Sequence, residues 1–151
     1  MTLSERIQQE LVHAMKAQDK GRLSALRMIR ASLQNREIDK RAPLTDAEVI
    51  ETLSSLVKKG RESIEQFRLG GRADLVEKEE AELRVLLSFL PQQMDDEEIR
   101  GVIRSAIREL GAQGPKDLGP VMKSVMARLK GRAEGKLVQQ LAREILASLR
   151  P

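Results

Sequence analysis

Apolar residues recur at three- and four-residue spacing along almost the whole chain, and no segment alternates with period two. That pattern predicts amphipathic α-helices and no sheet. The first helix opens at Thr2, where Glu5 completes a capping box, and its buried stripe is Leu3, Ile7, Leu11 and Ala14 or Met15. A second runs from about Lys20 to Ile38, with Leu23, Leu26, Ile29 or Arg30, and Leu33 marking its faces. Its outward side is expected to carry Arg22, Arg27, Arg30 and Arg36. Pro43 discourages continuation. Thr45–Asp46–Ala47–Glu48 is a second capping box and starts a third helix, apolar at Val49, Leu53, Leu56, Val57, Ile64 and Phe67. It continues to Gly70–Gly71, about 36 Å at 1.5 Å per residue.

After the double glycine, Asp74 is placed to cap a fourth helix, with Leu83, Leu86, Leu87 and Leu90 on one side. Two long helices across a tight turn make an antiparallel hairpin. Pro91 stops the fourth helix. Asp95 with Glu98 caps a fifth, whose Ile99, Val102, Ile103, Ile107 and Leu110 face inward until Gly111. A sixth begins after Asp117, read as its N-cap, with Val121, Met122, Val125, Met126 and Leu129 on its apolar face and Gly131 at its end. The seventh, from about Gly135 to Leu149, is buried through Leu137, Val138, Leu141, Ile145 and Leu146. The expectation is an all-α protein: a helical N-terminal domain with a long antiparallel hairpin (residues 1–92) and a small three-helix C-terminal domain (residues 93–151).

Charge is unevenly spread on this frame. The chain carries 27 Lys and Arg against 23 Asp and Glu, so position matters more than the net of +4. The third and fourth helices lean acidic through Glu77, Glu79, Glu80 and Glu82, a run that reads as a solvated face, with no apolar pocket in the sequence to raise one pKa. The sixth and seventh lean basic. Lys130, Arg132 and Lys136 crowd the joint between them, with Lys123 and Arg128 nearby and Glu134 opposing. Gly131 and Gly135 flank the joint and let backbone amides approach a ligand, and a helix N-terminus favours an anion. The same residues also read as a helix–helix corner with solvated lysines.

Other chemistries have no motif to stand on. The chain has no Cys and one His, and His13 lies beside the first helix's stripe rather than on it, so no thiolate, metal site or catalytic base is named and no cofactor is expected. Gly131–Arg132–Ala133–Glu134–Gly135–Lys136–Leu137 is not a phosphate loop: three residues separate its glycines instead of four, and Leu137 stands where a Ser or Thr would bind magnesium. Gly-x-Ser-x-Gly, His-Glu-x-x-His and a Gly-Ser-rich amidase signature are absent. With two Phe and neither Trp nor Tyr, base stacking of the single-strand type is nearly excluded. The N-terminal MTLSERIQQELV lacks the apolar core of a signal peptide and no run reaches roughly 18 apolar residues, so a soluble, cytoplasmic protein without a membrane partner is expected.

These residues resemble the YqeY family nearly end to end. Asp117–Gln140 is similar to the family's MGKVM…LMPKVKGRADGKLVN pattern, Arg22–Asn35 to its RLSTIRMIKAALKN block, and Phe89–Met94 to its YLPEQL joint. Pro120, Glu134 and Gln139 depart from a usual Lys, Asp and Asn; Glu134 is thereby a poorer cap for the last helix. The C-terminal portion also resembles the tail domain of the GatB component of the tRNA-dependent amidotransferase, and related domains are appended to some glutaminyl-tRNA synthetases. The resemblance implies a module that holds tRNA, with a synthetase or amidotransferase as partner and with Lys123, Arg128, Lys130, Gly131, Arg132, Gly135 and Lys136 as candidate RNA contacts. It also carries a description as carbon–nitrogen ligase with glutamine as amide donor. A third possibility is a protein-interaction adaptor using the acidic hairpin.

Overall fold

The computed structural model describes residues 1–149; Arg150 and Pro151, which end the expected C-terminal domain, lie outside the described residues. The fold is all-α, with no strand among the described residues. The chain divides into two compact units, Met1–Pro91 and Gln92–Pro151.

In the first unit, α1 (Leu3–Lys16), α2 (Lys20–Lys40), α3 (Asp46–Leu69) and α4 (Ala73–Ser88) surround one core. The capping boxes at Thr2 and Thr45 form as the sequence predicts, each Thr hydroxyl accepting from the N–H three residues on while the Glu there reaches back. Helix α2 packs against all three others. Its Ala25, Leu26 and Ile29 are fully buried, which settles Ile29 over Arg30 as the inward residue, just as Ala14 is buried and Met15 exposed in α1.

Two arginines expected outward on α2 turn inward instead. Arg22 is half-buried against Glu10 of α1 at 3.1 Å. Arg36 lies over the start of α3, donating to the Glu48 carbonyl and Thr52 Oγ1, both at 2.9 Å, and to Glu51 at 2.6 Å. A helix touching neighbours along three sides leaves only a narrow outward arc, and the stems of flanking arginines are drawn over the joints. Lys40 adds an ion pair to Glu48. Helix α2 runs two residues past Ile38 and ends with Arg41 in the left-handed conformation, φ +60°.

The α3–α4 hairpin turns at Gly71, φ +69°. Asp74 does not cap α4. The helix starts earlier, with Arg72 in the cap position, and Asp74 pairs with the Arg72 guanidinium at 3.1 Å. The Arg72 carbonyl already receives the N–H groups of Leu75 and Val76, which fixes the first turn two residues ahead of the expected cap. Within the acidic run, burial pushes the Glu82 carboxyl above its ordinary value, with Glu79 adding repulsion, so that run is not uniformly solvated.

The second unit is a three-helix cluster of α5 (Asp96–Leu110), α6 (Leu118–Leu129) and α7 (Gly135–Ser148), each packed on the other two. Ile99, Ile103, Val121, Val125, Val138 and Leu146 form its fully buried centre. Asp95 caps α5, accepting from the Glu98 N–H at 2.8 Å, and Gly111 closes it at φ +65°. Asp117, expected to cap α6, does something else. It ends a 3-10 turn (Pro115–Asp117), and its carboxylate accepts from the N–H groups of Gln113 and Gly114 behind it. With Asp117 at φ −92°, ψ 8° rather than extended, its side chain points back along the turn and not at the α6 donors.

Candidate nucleic-acid interface

Helix α6 ends at Leu129, which is fully buried and anchors everything that follows. Lys130 then sits at φ +24° and Gly131 at φ +79°, two consecutive residues on the left-handed side. Glycine is required at 131 by that backbone angle. Lys130, a non-glycine residue held at positive φ, is an uncommon conformation of the kind that needs surrounding structure to hold it. The Lys130 N–H bonds back to the Met126 carbonyl and the Arg132 N–H to Leu129, so the turn is wound tightly onto the end of α6.

A second stretch of chain locks it from the other side. The Met94 N–H donates to the Arg132 carbonyl at 2.8 Å, Gln93 Nε2 donates to the Gly131 carbonyl at 2.7 Å, and Arg132 Nε donates to the Gln92 carbonyl at 3.1 Å. Residues 92–94 and 131–132, far apart in sequence, thus clasp one another. Arg132 is half-buried and committed to this clasp. Of the candidate contacts it belongs to the frame, and so does Arg128, which pairs with Glu109 of α5.

Lys123, Lys130 and Lys136 are different. All three are exposed, and none of their ammonium groups has a hydrogen-bond or ion-pair partner among the described residues. Lys130 and Lys136 bracket the start of α7. There Glu134 occupies the N-cap position with no side-chain cap bond, as the sequence leads one to expect of a Glu in that place. The N–H groups of Gly135, Lys136 and Leu137 have no acceptor within their own helix, and the helix dipole adds its positive end. Gly135 is not demanded by crowding: a Cβ there would meet Met126 Cε at 3.8 Å, an ordinary contact. Lysine ammonium groups beside open backbone donors can hold a phosphate.

The partners that divide committed from uncommitted cations carry no local signal. Glu109 is nineteen residues from Arg128, and Gln92–Met94 are about forty from the turn they hold.

The family model for Yqey-like proteins matches residues 4–146, spanning the joint and most of both units. The chain belongs to the YqeY family. Its relatives include a protein of Pyrenophora tritici-repentis named altered inheritance of mitochondria protein 41, mitochondrial, 32% identical over 146 residues, covering 95% of this chain and 80% of that one. A protein of the same name from Eremothecium gossypii is 36% identical over 85 residues, covering 56% of this chain and 46% of its own. An uncharacterized protein of Schizosaccharomyces pombe is 34% identical over 86 residues, covering 57% and 70%. The mitochondrial names overturn the cytoplasmic expectation. That expectation rested on low apolarity, which reports on secretion and membrane crossing and carries no information about organelles.

Proposed function

We propose that this YqeY-family chain is a tRNA-binding module that works beside a tRNA-handling enzyme, a synthetase or an amidotransferase. The observation that carries the reading is the pair Lys130 and Lys136 at the start of α7, where no side chain caps the helix, with Lys123 further back on α6: three exposed lysines whose ammonium groups have no internal partner among the described residues. The resemblance of this unit to an amidotransferase tail domain supplies the tRNA part of the reading; the charge and geometry supply the phosphate part. Contacts of this type fix the position of an RNA without reading its bases. Arg128 and Arg132 contribute by holding the joint in shape.

The test is fluorescence anisotropy with a tRNA at two or more salt concentrations. Replacing Lys123, Lys130 and Lys136 together by Gln is expected to weaken binding while leaving the helical spectrum intact. Each lost phosphate contact flattens the slope of log affinity against log salt by about 0.7–0.9. Neutralising Lys58 and Lys59 on α3 is the control and is expected to do much less. Equal losses per charge would show diffuse attraction, and no binding by the unaltered chain at low salt would remove the proposal.

A further inference from the structure

Helix α2 carries a second cationic surface that the joint does not use. From Lys20 to Arg36 it contains Lys20, Arg22, Arg27, Arg30 and Arg36 and not one Asp or Glu. The fold commits two of these, Arg22 to Glu10 and Arg36 to Glu51. Lys20, Arg27 and Arg30 are left exposed, with no partner among the described residues. The buried positions Ala25, Ile29 and Leu33 fix the opposite arc as outward, and on it Arg27 and Arg30 stand with Ala31, Gln34 and Asn35, all exposed. Near Gly21 and Ser24 the surface is edged by Asp74, Glu77 and Glu82 of α4, so the purely cationic part centres on Arg27, Arg30 and Gln34.

The chemistry of this arc narrows its partner. Two guanidiniums and two side-chain amides offer donors in quantity, the helix's own carboxylates, Glu37 and Asp39, come seven or more residues after Arg30, and Ala31 keeps the surface between them low. An interfacial helix needs a continuous apolar stripe; the large exposed apolar residues of α2, Met28 and Ile38, stand ten residues apart. Single-stranded nucleic acid needs stacking aromatics, and of the two Phe residues Phe89 is buried and Phe67 half-buried. Duplex RNA needs neither. It is recognised through phosphates and 2′-hydroxyls, which Arg, Gln and Asn side chains satisfy.

We infer that the Arg27–Arg30–Gln34 face of α2 binds the backbone of an A-form RNA stem, as a contact separate from the α6–α7 joint. It shares with the reading above only the premise that the partner is RNA.

The experiment uses the full chain and three probes: a short RNA duplex, the DNA duplex of the same sequence, and vesicles containing an anionic lipid. The Arg27→Gln/Arg30→Gln variant removes two exposed charges without touching the core. It is expected to lose roughly tenfold in affinity for the RNA duplex and to flatten the salt slope by about 1.4–1.8. Gln34→Ala is expected to weaken RNA binding with the salt slope unchanged, since an amide releases no counterion. Lys58→Gln/Lys59→Gln matches the charge change elsewhere on the unit and is expected to leave affinity near that of the unaltered chain. Equal losses from both double variants overturn the inference. So does equal affinity for the DNA duplex, or arginine-dependent binding to vesicles with RNA binding unaffected. If the joint lysines prove necessary for RNA and Arg27 and Arg30 do not, this face is wrong and the proposed function stands; the reverse result keeps the face and removes the joint.

Discussion

At the start of α3, Thr45 Oγ1 accepts from the Glu48 N–H, the Glu48 carboxylate returns to the Thr45 N–H, and Lys40 and Arg36 of α2 close over the outside. At the start of α7, Glu134 makes no side-chain cap, and the two lysines nearest the turn point to solvent. Both ends present the same backbone donors and the same partial positive charge. One has its cap donor and its nearby cations engaged from within its own unit. The other is held rigid from behind, by the clasp of residues 92–94, and left open in front. Basic residues near a helix start therefore do not by themselves mark a binding site; what matters is whether the fold has already engaged them.

The comparison requires that both ends rest on equally firm cores. Leu53, about two turns into α3, and Leu129, beneath the α6–α7 turn, are both fully buried. Leu53→Ala and Leu129→Ala are each expected to lower unfolding free energy by about 2–5 kcal/mol in urea denaturation. A cost well under 1 kcal/mol for Leu129→Ala alone would mean that the turn is not held by the core, and the open end of α7 would lose its claim to be preorganised.

How much of this was legible in the sequence follows the range of the interactions. Periodicity found the helices, because burial of one face repeats locally: Ile7 and Leu11, Leu53 and Val57, Val121 and Val125 all lie where their spacing puts them. The capping boxes at Thr2 and Thr45 were legible for the same reason, since donor and acceptor are three residues apart. Asp74 and Asp117 misled because an Asp near a helix start has several local donors to choose from, and the Arg72 guanidinium and the Gln113 and Gly114 amides won. The site was legible only as a cluster of charge. Which cations were available depended on Glu109 for Arg128, Glu10 for Arg22 and Gln92 for Arg132, and no periodicity reports those pairings.

The closed end of α3 also has a pH signature. The Lys40 ammonium and the Thr45 N–H hold the Glu48 carboxyl at about 2, against an ordinary 4.5. A carboxyl whose folded value is depressed contributes stability that is complete above its unfolded value and is lost as pH falls through the folded one. The contribution from Glu48 is therefore expected to fade between about pH 4.5 and 2. Urea midpoints measured across that window should fall more steeply for the unaltered chain than for Lys40→Met, which removes the largest cause. Parallel profiles would show that the pair contributes nothing in solution, as many exposed ion pairs do.

The smallest expected effect separates the two ends most cleanly. Gly60 in the middle of α3 and Gly135 at the start of α7 pass the same steric test: an added Cβ would lie 3.9 Å from Leu83 Cδ1 in one case and 3.8 Å from Met126 Cε in the other. Space requires glycine at neither. In the interior of a helix glycine costs about 0.5–1 kcal/mol relative to alanine, so Gly60→Ala is expected to raise stability by about that amount and to leave RNA affinity unchanged. At the first helical position little helix propensity is at stake, and Gly135→Ala is expected to change stability by less than about 0.5 kcal/mol. It places a methyl group beside the open N–H donors, however, where a phosphate would approach. Thermal denaturation and tRNA anisotropy on the two variants give a crossed result if the reading is right: one gains stability and keeps binding, the other keeps stability and loses binding. A Gly135→Ala chain that binds tRNA as tightly as the unaltered one would show that the α7 backbone is not a contact, leaving the lysines alone to account for any affinity.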